Sequence, residues 1–468
     1  MAKELPTVAS AAERGKRGTG LLPTSQTRMI RTANEAPSVA LIPLGCSKAQ
    51  VDAEEMIGAL LVNGYKLVPD PEDADVVIVN TCGFIESAKE ESIDAILDAA
   101  QLKSSHNISF LVVTGCLAER YPNELRAELP EVDLVLRWSE ERELVARLDE
   151  IFGIERTSIA EWGNRTLISP RHWAYVKISE GCDHTCSFCA IPGIRGKHVS
   201  VPMDDVVAEV ERLVDFGVKE FNLVAQDTTL YGVDLYRKLS LPTLLRRLGE
   251  ISGVQWLRLF YAHPAHVNDE LIDVMSSYDN IVPYLDLPIQ HINDHLLKTM
   301  RRIVNRQRIE EVLHQLRERV ANLTLRTSVI VGFPGETEKR FQELVDFLPD
   351  ARFDRLGCFT YSNEEGTAAA QMGSQVPLHV REERRAIVME IQREISREVN
   401  EWRVGREYTL LVERSDSEGG VGRTVAEAPE VDGEVRVIAD ESLEVGSMVK
   451  VRIVEASDYD LVAELISN

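Results

Sequence analysis

The sequence predicts an α/β protein with three ordered parts: an N-terminal parallel α/β sheet domain, a central βα barrel or partial barrel, and a small C-terminal antiparallel β-barrel. Three observations carry this. Three short apolar runs, each ending in cysteine, alternate with helical patterns in the first third of the chain. Six more strand-like runs alternate with helices through the middle. From Gly405 the pattern changes to short alternating strands separated by Gly and Asp turns. Strand–helix alternation means a parallel sheet, and closely spaced short strands mean a barrel or sandwich.

Residues 1–36 hold six basic and three acidic side chains and no apolar period, the composition of a disordered extension. The first domain spans 37–150. Its strands lie in residues 39–46 (VALIPLGC), 75–82 (DVVIVNTC) and 109–116 (SFLVVTGC). Apolar runs without alternation, rich in β-branched residues, suit strands buried on both faces. Helical patterns over 52–63 and 85–100 separate them, and Gly64 stops the first. The central domain spans 168–400, with strands expected at 173–179, 220–225, 255–261, 282–287, 324–331 and 355–361. Val206, Val207, Val210, Leu213 and Val214 give one intervening helix an apolar face. Six βα units fit a barrel or partial barrel, with chemistry at the C-terminal ends of its strands. A charged helix over 379–402, mainly solvated, closes the series. Strands at 407–413, 433–439, 447–454 and 461–465 then build the barrel of residues 401–468, whose size suits an accessory binding module.

The 468 residues exceed one hydrophobic core, and a net charge of −24 makes the chain a poor general binder of nucleic acid. No apolar run approaches the ~20 residues that span a bilayer. The N-terminus lacks a secretory pattern, so a cytoplasmic protein without a membrane partner is expected. Seven cysteines in such a chain read as metal-binding or catalytic before they read as disulfides, and their odd number agrees.

Cys182, Cys186 and Cys189 form C-x3-C-x2-C directly after the first central strand. Soft thiolates at this spacing on one tight loop can hold three irons of a 4Fe–4S cluster. With no fourth ligand nearby one iron stays open, as a catalytic site requires. Structural zinc is the competing reading; it needs a fourth Cys or His, and His184 inside the loop is badly placed for it. Cys46, Cys82 and Cys116 each follow a buried strand, 36 and 34 residues apart, about one βα unit each. Loops at the C-terminal edge of a parallel sheet converge on one crevice, so these thiolates can meet and hold a second cluster with an open iron. Cys358 sits mid-strand without a partner and reads as core. The turn 331–336 (VGFPGE) ends a strand, and its glycines let backbone approach a ligand, although such turns are common without one. Gln226-Asp227, His263-Pro264 and Gln290-His291 end other strands on that rim, and each lone histidine is as open to a structural as to a catalytic role.

Phe188 completes the pattern C-x3-C-x-Phe-C, which resembles the radical S-adenosylmethionine superfamily. Leu44-Gly-Cys46, Asn80-Thr-Cys-Gly83, Thr114-Gly-Cys116, the segment 175–189, Ile191-Pro-Gly-Ile-Arg-Gly196 and Tyr284-Leu-Asp-Leu-Pro-Ile-Gln-His291 extend the likeness to the methylthiotransferases. Phe359-Thr-Tyr-Ser362 with Glu365-Gly366, and the stretch 423–433 with Ala428-Pro-Glu430, resemble the RimO family most. The chain departs from the family pattern where Ser47 and Ala49 replace Pro and Asn, and where Val201 replaces Arg.

The resemblance implies a radical S-adenosylmethionine-type central barrel, a TRAM-like C-terminal barrel, two 4Fe–4S clusters and S-adenosylmethionine. It makes Cys182, Cys186 and Cys189 the catalytic cluster ligands and Cys46, Cys82 and Cys116 the auxiliary ones. It brings Phe188, Gln226, Gly332, Gly335 and Glu336 into the cofactor pocket. The implied reaction adds a methylthio group to the β-carbon of an aspartate in small-subunit ribosomal protein twelve, with electrons from a donor such as flavodoxin or ferredoxin. The sister MiaB-like enzymes methylthiolate an adenosine of transfer RNA instead. Charge separates the two, because residues 401–468 hold seven Lys and Arg against sixteen Asp and Glu, a net of −9. An acidic barrel suits a basic ribosomal protein and repels RNA. A third reading, a two-cluster electron carrier without transferase activity, leaves the six βα units and the cofactor-type loops without a purpose.

Overall fold

The computed structural model describes residues 36–105, 108–160 and 165–466. The extension expected over 1–36 lies, apart from Ala36, outside the described residues. The chain divides into two compact units. One runs to Ile168 and includes Ala190–Gly196; the other holds Ser169–Cys189 and everything from Lys197 onward.

In the first unit β1 (Ser38–Pro43), β2 (Lys66–Leu67), β3 (Val76–Thr81), β4 (Phe110–Gly115) and β5 (Leu134–Val135) form one parallel sheet in the order β2-β1-β3-β4-β5. β3 is buried at every position, as an apolar run without alternation requires. Val76 and Ile78 face one layer, where the helix Ser47–Val62 brings Ala53, Met56 and Leu60. Val77 and Val79 face the other, against Ile93, Ile96 and Ala99 of the helix Glu86–Ser105. The strand order reverses between β1 and β3. Open parallel sheets bind ligands at such a switch point, beyond the C-terminal strand ends, and Cys46, Cys82 and Cys116 follow β1, β3 and β4 there. The helix expected from residue 52 in fact begins at Ser47. Asp52 looks like an N-cap in sequence but lies mid-helix, 3% exposed.

In the second unit β6 (Trp173–Lys177), β9 (Glu220–Val224), β10 (Trp256–Leu259), β11 (Ile281–Asp286), β12 (Thr324–Val331) and β13 (Arg355–Thr360) pair in parallel and in chain order. A two-stranded ribbon, β7 (Ser179–Glu180) with β8 (Val199–Ser200), brackets the second cysteine loop in sequence. All six expected strands are present within two residues of their expected ends. Among the described residues β6 and β13 do not pair, so this is a partial barrel. The helix Leu378–Arg403 leads into the C-terminal barrel. There β14 (Glu407–Asp416), β15 (Gly419–Arg423), β16 (Val435–Ile438), β17 (Met448–Ala456) and β18 (Leu461–Leu465) close in the order β14-β15-β16-β18-β17 around Leu410, Val412, Val437, Val451 and Ile453. Two details correct the expectation. β15 was not anticipated, and the β16–β18 seam is parallel because β17 pairs on the far side of β18, between it and β14. Among the described residues no helix is long and apolar enough to cross a membrane.

Candidate active site

Each cysteine of the first unit sits where a strand gives way to a helix or turn. Cys46 is the N-cap of the helix Ser47–Val62, and Cys116 is the first residue of the helix Cys116–Arg120. Helix N-termini present free N–H groups and a positive dipole end, which favour a thiolate. Cys82 is braced by the Ser92 hydroxyl, which accepts from its N–H and donates to its carbonyl, both at 2.9 Å. Leu44 N–H donates to Asn80 O, and Asn80 Nδ2 donates to Ala49 O, each at 2.9 Å, which ties the Cys46 turn to β3. A Cβ on Gly45 would lie 3.6 Å from Cys82 Sγ, so that turn and the Cys82 thiol are neighbours.

Arg195 completes this group. It is 4% exposed and aims Nε and Nη2 at Cys116 Sγ, both at 3.2 Å. The three thiols are electrostatically coupled but unequal. Protein packed against Cys46 raises its pKa, but Lys48, the Ala49 N–H and Arg195 outweigh this on its solvent-open side and hold it below the ordinary thiol value. Burial raises Cys82 and pushes Cys116 up to about 12. Such thiols lose their protons to a bound metal rather than to water. Three sulfurs beside a buried cation suit an iron–sulfur cluster better than a hard cation.

In the second unit, backbone and side-chain bonds pin the cysteine loop. Ser187 N–H donates to Met300 O at 3.0 Å, its hydroxyl to Thr299 O at 2.9 Å, and Ala369 N–H to Ser187 O at 2.7 Å. Phe188 packs half-buried against the cluster of Leu296, Met300, Phe333, Tyr361 and Ala369, which anchors the loop from its apolar side. Cys189 N–H to Cys186 O at 3.2 Å closes a tight turn. Cys182, Cys186 and Cys189 are half-buried, and burial pushes Cys182 up to about 11. Gln226 Nε2 donates to Glu180 Oε1 at 2.6 Å, and its own Oε1 is buried without a hydrogen-bond partner among the described residues. That orphaned acceptor, on an amide whose Nε2 is bonded to Glu180 two residues before Cys182, could take the ammonium group of an amino-acid cofactor.

Gly332 and Gly335 have φ of +73° and +85°, and a Cβ on Gly332 would meet Arg381 Cγ at 2.2 Å, so only glycine makes this turn. Glu336 is 4% exposed. Its carboxylate accepts from Gly332 N–H and from Arg384 Nη1 at 2.9 Å, and pairs with His291 Nε2 at 3.2 Å. It faces inward and holds the turn. His291 is fully buried beside that carboxylate. Cys358 is buried in β13, and burial pushes it up to about 12.

Sequence reasoning missed two groupings. Arg195 and Asp52 were visible only as parts of a motif and a helix, 143 residues apart. His184 and His263 were read singly and His266 not at all, yet one ligand atom of each lies within 4.8 Å of the others, with His184 Nε2 2.6 Å from Asp227 Oδ2. The adjacency of β6, β9 and β10 in the sheet brings their loops together, which no local pattern reveals.

Three family models match the chain: the uncharacterized protein family UPF0004 over residues 38–137, the Radical SAM superfamily over 176–348 and the TRAM domain over 404–466. A solved radical S-adenosylmethionine methyltransferase, TsrM from Kitasatospora setae, shares the fold at a TM-score of 0.50 and 15% identity, covering 69% of this chain and 75% of that one. The partial barrel and its superfamily match define the class: this is a radical S-adenosylmethionine enzyme, which implies a 4Fe–4S cluster and S-adenosylmethionine. The ribosomal protein uS12 methylthiotransferase RimO of Desulforamulus reducens is 46% identical over 441 residues, 92% of this chain and 99% of its own length. That of Phocaeicola vulgatus is 43% identical over 433 residues, 92% and 99%. The chain belongs to the RimO family of ribosomal protein uS12 methylthiotransferases.

Proposed function

We propose that Cys182, Cys186 and Cys189 hold the cluster that binds S-adenosylmethionine, that Cys46, Cys82 and Cys116 hold a second 4Fe–4S cluster, and that the enzyme adds a methylthio group to the β-carbon of an aspartate in uS12. The observation that supports this most is the pair of three-cysteine sets, each beyond the C-terminal strand ends of its own parallel sheet, in a chain of this family. When bound, the two clusters and S-adenosylmethionine supply the sulfur and the one-electron chemistry that takes hydrogen from an unactivated carbon, which no side-chain base could do. The chain's own residues bind and orient. Ser187 and Phe188 fix the cysteine loop. Gln226 Oε1 accepts from the cofactor ammonium while Glu180 keeps the amide turned. Gly332 and Gly335 let backbone approach the cofactor, and Glu336 holds their turn. A low-potential donor such as flavodoxin or ferredoxin supplies electrons.

The test is anaerobic reaction of the iron- and sulfide-loaded full chain with S-adenosylmethionine, reductant and uS12, followed by mass spectrometry. A methylthio mass gain on one aspartate is expected, with deoxyadenosine released, and both are lost in Cys182→Ala. A gain on transfer RNA with none on uS12 would favour the nucleotide reading. No deoxyadenosine at all would favour the electron carrier.

A further inference from the structure

Arg195 is held on three sides. Nε and Nη2 donate to Cys116 Sγ, both at 3.2 Å. Nη1 donates at 2.6 Å to Oδ2 of Asp52, itself 3% exposed. The guanidinium lies 4.6 Å from the Trp138 ring centroid, within cation–π range. An arginine serving only as a charge would need none of this; its plane and both edges are fixed. Lysine could not replace it, because one ammonium cannot serve Cys116 and Asp52 in two directions while lying flat on an indole. Its charge also acts on Cys46 and Cys82.

We infer that Arg195 is the positioning residue of the second cluster: it orients Cys116 Sγ for iron and withdraws negative charge from the cluster that Cys46, Cys82 and Cys116 hold. The inference rests on the reading of those three cysteines as ligands. N–H···S bonds stabilise electron-rich sulfur, and they stabilise the reduced cluster, which carries one more negative charge, more than the oxidised one. Burial strengthens the effect, since little solvent screens it. Arg195 therefore raises the second cluster's reduction potential.

The alternative is a purely structural Arg195–Asp52 pair that tethers residues 190–196. It predicts lost stability and nothing else. The deciding experiment is a potentiometric titration of the holoenzyme followed by electron paramagnetic resonance, with S-adenosylmethionine added to mark the signal of the cluster that binds it. In Arg195→Gln the signal that ignores S-adenosylmethionine is expected to move to lower potential, in Arg195→Lys to move partway, and the other signal to stay. A second measurement needs no variant. Pulsed resonance of the reduced wild type grown on nitrogen-15 arginine is expected to show coupling to the same cluster, and it decides the matter if neither variant loads iron. Unmoved midpoints in loaded variants, or no nitrogen-15 coupling, overturn the inference while leaving the ligand reading intact. Iron for only one cluster in the wild type overturns the ligand reading and the inference with it.

Discussion

Each cysteine of the first unit has a glycine beside it, and crowding or a left-handed backbone explains all three. Gly115 has φ of +93°, and a Cβ there would sit 2.5 Å from both Asn80 Oδ1 and Thr81 O. Gly83 leaves no room because Leu117 Cα would be 2.7 Å from its Cβ, and Gly45, at φ +105°, would press its Cβ to 3.2 Å from Cys82 Cβ. These contacts are to backbone, to a cysteine and to Asn80, whose amide is held by Ala49 O, so they cannot relax cheaply. Gly115→Ala should push the end of β4 off β3 and carry Cys116 away from its partners. The expected cost is roughly 1–3 kcal/mol of backbone strain plus the clash, with loss of the iron assigned to that cysteine set. Iron analysis beside thermal unfolding checks this; a variant with full iron and an unchanged Tm would refute it. The Gly–Cys pairs themselves were plain in the sequence. What they avoid was not, since Gly115 and Thr81 become neighbours only when β3 and β4 pair.

Elements were legible where burial writes a simple pattern, and illegible where geometry overrides it. The six central strands could be read because short runs rich in apolar and β-branched residues recur between helical patterns, even where a buried Glu220, Asn222 or Arg258 interrupts them. β15, Gly-Gly-Val-Gly-Arg, reads as a turn for an equally physical reason. Cβ atoms on Gly419 and Gly422 would lie 2.2 Å from Val437 O and Leu411 O, so a five-stranded barrel this narrow needs glycine where a strand normally carries side chains. The turn after β12 shows the same limit at the site. Glu336, which the resemblance brings into the cofactor pocket, also has a carboxylate that braces Gly332 against His291 and Arg384, which no local pattern reveals. Glu336→Gln keeps the shape but leaves Arg384, 6% exposed, with only the exposed Glu338 as counter-charge, which costs about 1–3 kcal/mol. Stability and S-adenosylmethionine affinity should fall together. Weakened affinity at unchanged stability would mean instead that Glu336 touches the cofactor.

At the scale of the whole molecule, charge decides both how the second unit holds together and what it can meet. Its barrel joins the sheet through buried ions: Arg423 Nη2 to Glu220 Oε2 at 2.6 Å, Arg258 Nε to Glu220 Oε1 at 2.9 Å, and Arg355 and Arg403 on Glu427. Burial works against ionisation of Glu427, but Arg403 and Arg355 outweigh it and hold its pKa at about 2, below the ordinary 4.5. A depressed carboxylate stabilises the fold above its unfolded pKa and loses that contribution as pH falls through the folded one. Glu427 thus contributes on the order of 3 kcal/mol above pH about 4.5, lost between there and about 2. Glu220 shifts in the same direction, so Tm should drop steeply on acidification across that window, and a flat profile would contradict the network.

The same bonds sharpen the barrel's outer charge. Arg403 and Arg423 are buried, and Arg414, Arg436 and Arg452 pair with Glu434, Asp416 and Glu407, so few cations are left to face a partner. Asp440, Glu441 and Glu444 are exposed and carry no ion pair among the described residues. Each of these pairs removes one cation and one anion, so the net of −9 persists and rests on carboxylates without a partner cation. Exposed charges of this kind act through encounter rate and are screened within a Debye length of about 8–10 Å at physiological salt. Association with basic uS12 should weaken several-fold as salt rises, and the triple change Asp440→Lys, Glu441→Lys and Glu444→Lys should weaken it at low salt and flatten the salt dependence. Deoxyadenosine release without uS12 should not change, since none of the three touches a cysteine loop. Binding by surface plasmon resonance over a salt series measures both effects. Transfer RNA should bind the wild type poorly and the reversed variant better; equal competition by transfer RNA on the wild type would mean that this surface does not choose between a protein and a nucleic acid.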